Sequence, residues 1–161
     1  MKKITLDTNV LPGTEFISCA ARLGLDLAVI SVTEREVEGT AFEVDLRPLS
    51  AVNETGVYGE ARYGRTVYAS QESAECLDDI LKVVSNGSFP SSRADLSDGQ
   101  RRQFRDALIL EGHVRDGRDV FVTNDQRAFI LDGRRHRLET TFNTRIMTSA
   151  EFLQACETGG V

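Results

Sequence analysis

Lysine is nearly absent from this 161-residue chain, occurring only as Lys2, Lys3 and Lys82. Two phosphate chemistries are discounted with it. A phosphate-binding loop needs a glycine-rich turn that closes on lysine, and the chain has none. An aspartyl-phosphate phosphatase places a second aspartate two residues after its strand-end aspartate and a lysine later. Here the residue two after Asp7 is Asn9, and Lys82 is the only late lysine. Histidine is equally scarce. His113 reads as a helix-face residue and His136 as a surface one, and neither lies in a nucleophile-elbow context, which discounts Ser/His/Asp hydrolysis. The three cysteines, Cys19, Cys76 and Cys156, are odd in number, far apart and without C-x-x-C spacing, so neither a disulfide framework nor a zinc knuckle is indicated. Cys19 reads as a core residue in a reduced setting. No apolar run approaches the ~20 residues of a membrane span, and "MKKITLDTNV" meets Asp7 before an apolar leader can form. The expectation is a soluble, unexported, cytoplasmic protein with no membrane partner.

The net charge of -6 argues against a broad electrostatic nucleic-acid binder. It is unevenly spread, at -7 over residues 1–100 and +1 over residues 101–161, where every basic residue is arginine. Three of these arginines stand in "GRRHRLE", either a phosphate-matching cluster or a solvated surface stretch. The length suits a single domain, 1–161, able to bury about 70% of its unfolded surface.

Along the chain, "KITL" reads as a short buried strand. "TEFISCAARLG" follows as a helix capped by Thr14 and Gly24, with Phe16, Ile17, Ala20 and Leu23 on one face. "LDLAVIS" is a second strand and "VTEREVEGT" a short helix. This β-α-β-α opening favours a parallel sheet. Residues 41–70, with Pro48 and several glycines, read as loop-rich or partly helical, within an insertion at about 41–99. "SQESAECLDDILKVV" is amphipathic, with Ala74, Leu77, Leu81 and Val84 at helical spacing. A helix of roughly twenty residues starts at the Ser97/Asp98 cap and ends at Gly117. "DVFVTND" is a third buried strand, "QRAFIL" a short helix, "TRIM" a last strand and "TSAEFLQAC" a closing helix.

Two strands end alike: "KITL" runs into Asp7, and "DVFV" into Thr123, Asn124 and Asp125. In one parallel sheet both aspartates emerge at the same carboxyl edge. A third acid, Asp106, precedes the apolar run "ALIL" in a helix that such a run marks as sandwiched, so its carboxylate is partly desolvated. Each has a blander explanation: an Asx turn at Asp7, a helix cap at Asp125, a pair with Arg102 at Asp106. A fourth acid is expected from "TEREVEG". Glu34, Glu36 and Glu38 step by about 200°, so they do not share a face. Glu36 is the choice and Glu38 the alternative. Clustered carboxylates are stable at neutral pH when some are protonated or when a hard cation sits among them, and oxygen-only ligands suit Mg²⁺ or Mn²⁺.

With "LDTNVL", "FRDALIL" and "VFVTNDQRAF" in that order, the sequence resembles the PIN-domain nucleases, the family that includes the VapC-type toxins. The likeness covers roughly residues 3–36 and 100–150. It implies a three-layer α/β/α sandwich around a mainly parallel sheet and metal-dependent hydrolysis of RNA phosphodiesters. Position by position, it implies that Asp7, Glu36, Asp106 and Asp125 are the catalytic carboxylates and ligands of Mg²⁺ or Mn²⁺, and that Asn9 and Thr123 orient them. Arg101, Arg102, Arg105, Arg127, Arg134 and Arg135 are the candidate phosphate track for RNA. The partners expected are RNA, an antitoxin protein if the chain is a toxin, and a second copy in a homodimer. The competing reading is a non-catalytic RNA- or protein-binding module of the same fold.

Overall fold

The computed structural model describes residues 1–57 and 63–161. The expected insertion at about 41–99 therefore falls partly on 58–62, outside the described residues. In chain order the elements are β1 (Lys3–Leu6), α1 (Thr14–Leu23), β2 (Asp26–Ile30), α2 (Ser31–Val37), β3 (Ser50–Val52), β4 (Glu54–Thr55), β5 (Thr66–Val67), α3 (Gln71–Val84), α4 (Asp98–Arg115), β6 (Val120–Val122), α5 (Arg134–Phe142), β7 (Arg145–Met147) and α6 (Ser149–Thr158).

Five strands form one sheet, all parallel, in the order β3-β2-β1-β6-β7. The chain builds outward from β1 through β2 and β3, returns, and builds the other way through β6 and β7. The reversal falls between β1 and β6, and in an open parallel sheet the ligand crevice lies at the carboxyl ends of the strands at that point.

Alternation along the strands assigns the two faces. Ile4, Leu6, Leu27, Val29, Val120, Val122 and Met147 point to one side, where Phe16 of α1 and Phe152 of α6 close the core. Ile30, Phe121 and Ile146 point to the other, against α3, α4 and α5. The result is a three-layer α/β/α sandwich. The "ALIL" run of α4 is buried all round: Ala107, Leu108, Ile109 and Leu110 are each at most 1% exposed. One turn on, Gly112 lets α4 approach β2, because a Cβ there would stand 3.0 Å from Ile30 Cγ2.

The structure corrects several local expectations. Thr14 is the first residue of α1 rather than its cap, which falls on Gly13 with no side-chain bond, whereas Gly24 ends the helix at φ 65° as expected. On α3 the buried face carries Ser73, Leu77, Ile80 and Leu81, and Ala74 is exposed. "QRAFIL" is one wide helical turn, closed by Leu131 N donating to Gln126 O. "GRRHRLE" lies within α5, whose Leu138 is wholly buried.

Residues 41–70 are not merely loop. They open with a 3₁₀ segment, Ala41–Leu46, and supply β3, the edge of the main sheet, and the small parallel pair β4·β5. That pair is anchored by buried ionic groups. Arg35 of α2 meets the fully buried Glu54 at 2.5 Å, and Glu54 N donates to Ser31 Oγ at 2.9 Å. Thr55 Oγ1 donates to Glu111 Oε2 at 2.8 Å, and Arg115 bridges Glu111 and the Asn53 carbonyl.

The cysteine expectation is also overturned. Cys19 of α1 and Cys156 of α6 form a disulfide, which leaves Cys76 as the free thiol. Both bonded residues are buried, Cys19 in the core as expected. Their 137-residue separation hides the pairing until α1 and α6 pack on the same sheet face. Among the described residues no helix is long and apolar enough to cross a membrane.

Candidate functional site

The crevice between β1 and β6 is where the strand-end acids emerge. Asp7 follows β1 directly, its N–H donating to Val122 O at 3.0 Å, so its backbone still belongs to the sheet. Its side chain then caps the 3₁₀ turn Thr8–Val10: Oδ1 accepts from Thr8 N at 2.8 Å. Oδ2 accepts from Asn9 Nδ2 and from Thr123 Oγ1, both at 2.6 Å. The Asx turn and the site are thus one construction: threonine and asparagine, not glycine, follow Asp7 because each supplies a donor.

The second strand end is joined to the first. Thr123 is fully buried, and its Oγ1 also accepts from Asp125 N at 3.0 Å. Asn9 Oδ1 accepts from Asn124 N at 2.8 Å, and Asn124 Nδ2 donates to Ser149 Oγ at the start of α6. Asp125 turns Oδ1 to Ala128 N at 2.8 Å, so it caps the following turn while standing at the crevice. Asn9 and Thr123 therefore both donate directly to the Asp7 carboxylate.

Glu36 and Asp106 arrive from opposite sides. Thr8 Oγ1 donates to Glu36 Oε2 and lies 3.1 Å from the buried Thr33 Oγ1. Of the three acids in "TEREVEG", Glu36 is the one whose charge acts on both Asp7 and Asp106. Glu34 instead pairs with Arg65 at 3.4 Å, and Glu36 and the alternative, Glu38, are both exposed.

Burial, chiefly, and then repulsion from Glu36 and Asp125 push the Asp7 carboxyl up to about 6 against the opposing bonds from Thr123 and Thr8. Asp106 is pushed further, to about 8, by burial first and then by Asp7, Asp125 and Glu36 in turn, with Arg102 opposing weakly. No hydrogen bond or ion pair satisfies the Asp106 carboxylate among the described residues. The four acids thus lie within one another's electrostatic field. Even so, among the described residues no group of three or more His, Cys, Asp or Glu side chains is arranged to hold a metal ion.

The arginines divide. Arg102 and Arg127 are exposed, and Arg101 and Arg105 are partly buried on α4. Arg134 is buried, with Nε donating to Val83 O at 3.3 Å and Nη1 to Arg127 O, so it fastens α5 to α3 rather than facing solvent. Arg135 pairs with Glu151 at 2.9 Å and Glu139 at 3.5 Å. Sequence reasoning missed Thr8, Thr33, Asn124 and Ser149. Thr8 had a signal, since it lies inside "LDTNVL" beside the acid; the others act through partners distant in sequence. His113 lies on α4 and is fully buried, with Nδ1 2.8 Å from Thr5 Oγ1 and Nε2 2.6 Å from Thr144 Oγ1. His136 is exposed. Compared with family models, curated proteins and solved structures, the chain matches none.

Proposed function

We propose that the chain is a metal-dependent endoribonuclease of the PIN type, with Asp7, Glu36, Asp106 and Asp125 as its working carboxylates. One observation carries the reading. Asp7 and Asp125 stand at the sheet's switch point, the charges of Glu36 and Asp125 act on Asp7 and those of all three on Asp106, and Asp106 is half-buried with no donor among the described residues. Such an arrangement opposes stability in the free protein, which is what a site gives up for function.

The donor set suits a hard divalent cation, because it is all carboxylate oxygen. The residues that would hold Mg²⁺ or Mn²⁺ are Asp7, Glu36, Asp106 and Asp125, of which no three are gathered as placed among the described residues; the ion would supply activation of water and charge stabilisation at phosphorus. The chain's own residues do the rest. Asn9 and Thr123 fix the Asp7 carboxylate by two 2.6 Å bonds. Thr8 aims Glu36 at the crevice. In the metal-free protein burial and the neighbouring acids raise the Asp106 carboxyl to about 8. Arg102 and Arg127 are exposed near the site and suit phosphate oxygens.

The test is cleavage of a mixed single-stranded and hairpin RNA pool in Mn²⁺, Mg²⁺ and EDTA, beside Asp7→Asn and Asp106→Asn. Metal-dependent cutting that falls by about 100-fold or more in each folded variant is expected, in the range of losing a preorganised catalytic group. Full activity in both variants overturns the mechanism. A second reading, a non-catalytic RNA- or protein-binding module, is favoured in that no three liganding side chains are gathered as placed among the described residues. Failure of the folded wild type to cut under any metal would select it. An antitoxin partner and a homodimer belong to the toxin form of the first reading.

A further inference from the structure

All three tyrosines of the chain lie between positions 58 and 68, and there is no tryptophan anywhere. Two of them are described, and both stand wholly in water: Tyr63 is 106% and Tyr68 103% exposed, the most exposed large apolar side chains of the described residues. Between them sits Arg65, its side chain 56% exposed. A scattered exposed residue needs no explanation. Two fully solvated rings flanking a guanidinium on one short segment form a surface built for planar, anionic partners, since bases stack on aromatic rings and phosphates bind arginine.

The segment is held in place. Ser31 Oγ, at the start of α2, donates to Arg65 O at 2.9 Å, and Arg65 Nη1 reaches Glu34 of α2 at 3.4 Å. Glu36 follows on the same helix, about 3 Å further along its axis. Beside the segment a cavity of about 500 Å³ is lined by Arg47 and Arg65 together with Glu34, Glu38 and Glu43. None of these carboxylates is free: Glu34 meets Arg65, and Glu43 accepts from Gly39 N at 3.0 Å. Arg47 is exposed and makes no ion pair among the described residues.

From this placement we infer that Tyr63, Arg65 and Tyr68 form a stacking platform for single-stranded RNA, next to the helix that carries Glu36. Bases rest on the two rings, and Arg65 and Arg47 take the flanking phosphates. A duplex, whose bases face one another, cannot use the rings. The inference rests on the nuclease reading only for where the strand goes next; binding to the platform does not require cleavage.

The chain's lack of tryptophan makes the test direct, because intrinsic emission comes from this segment alone. Metal-free protein in EDTA is titrated with a fluorescein-labelled oligouridine of roughly 12 nucleotides, within the span that single-strand sites cover, and with the duplex of equal length. The single strand is expected to bind more tightly and to quench tyrosine emission. Tyr63→Ala/Tyr68→Ala should weaken its binding by about 10-fold or more, with the duplex unaffected and Tyr63→Phe/Tyr68→Phe close to wild type. Because binding is read in EDTA, its outcome stands apart from whether the protein cuts RNA. Unchanged affinity in the alanine variant, or emission that follows protein concentration and not RNA, overturns the platform and gives the rings to a protein contact.

Discussion

The environment of Asp106 works against its ionised form. Its carboxyl is raised to about 8 by burial and by three neighbouring acids. Between the ordinary carboxylate range and that value the native state binds more protons than the unfolded one, so its contribution to stability falls as pH rises. Asp106→Asn is therefore expected to stabilise the metal-free protein at pH 8 by about 1 kcal/mol or more, a gain that shrinks toward pH 4. Urea unfolding at the two values measures it, and equal stability of variant and wild type at pH 8 refutes it. His113 acts with the opposite sign. Burial first, then Arg118, lowers its imidazole to about 3, so it stays neutral between Thr5 and Thr144. Unfolding frees a ring that takes up a proton near 6.5, and stability is lost as pH falls from there toward 3. Long-range nitrogen NMR should find the His113 ring still neutral at pH 4.5; a protonated ring there refutes the assignment. Asp7 and Asp125 were legible in the sequence because a strand-end position fixes the sheet edge at which they emerge, whereas Glu36 and Asp106 are carried by helices and their approach is a matter of packing. Arg134 was not, because its acceptors, Val83 O and Arg127 O, come from other parts of the chain.

At the scale of elements, helix α4 connects fold and site. Its first half presents Asp106 to the crevice, and its second half lies so close to β2 that Gly112 has no room for a side chain. Added alanine would gain helix propensity of up to ~1 kcal/mol while pressing on Ile30, so the cleaner probe is a branched residue. Gly112→Val is expected to destabilise by about 2 kcal/mol or more, as overpacking beside a fully buried neighbour does. Chemical denaturation tests it, and a neutral result would mean that α4 can slide on the sheet. Most elements could be read from the sequence because apolar spacing at 3.6 or 2 residues is strong over "TEFISCAARL", "DLAVI" and the α4 segment. β3 escaped for the opposite reason: it is three residues long, sits at the sheet edge and buries almost nothing, with Ser50 and Ala51 exposed. An edge strand of that kind carries no periodic signal and is defined by its pairing to β2, a tertiary fact.

At the scale of the whole molecule, the Cys19–Cys156 bond joins the first helix to the last across 137 residues. Those helices are also linked at their amino-terminal ends through the site, since Asn9 precedes α1 and contacts Asn124, which in turn holds Ser149 of α6. The bond and the site thus tie together the same two helices. In the chain-entropy account a loop of this length contributes near the upper end of the usual disulfide range, about 2–5 kcal/mol. For a domain of this size that is a fall in melting temperature on the order of 5–15 °C when the bond is lost. Reduction under native conditions, followed by thiol titration, should raise the count from one free cysteine to three as the melting temperature drops. Cys19→Ala/Cys156→Ala should reproduce the drop without reductant. Three free thiols with an unchanged melting temperature would mean that the packing of Phe16 on Phe152, 5.7 Å between ring centroids, already holds the two helices together.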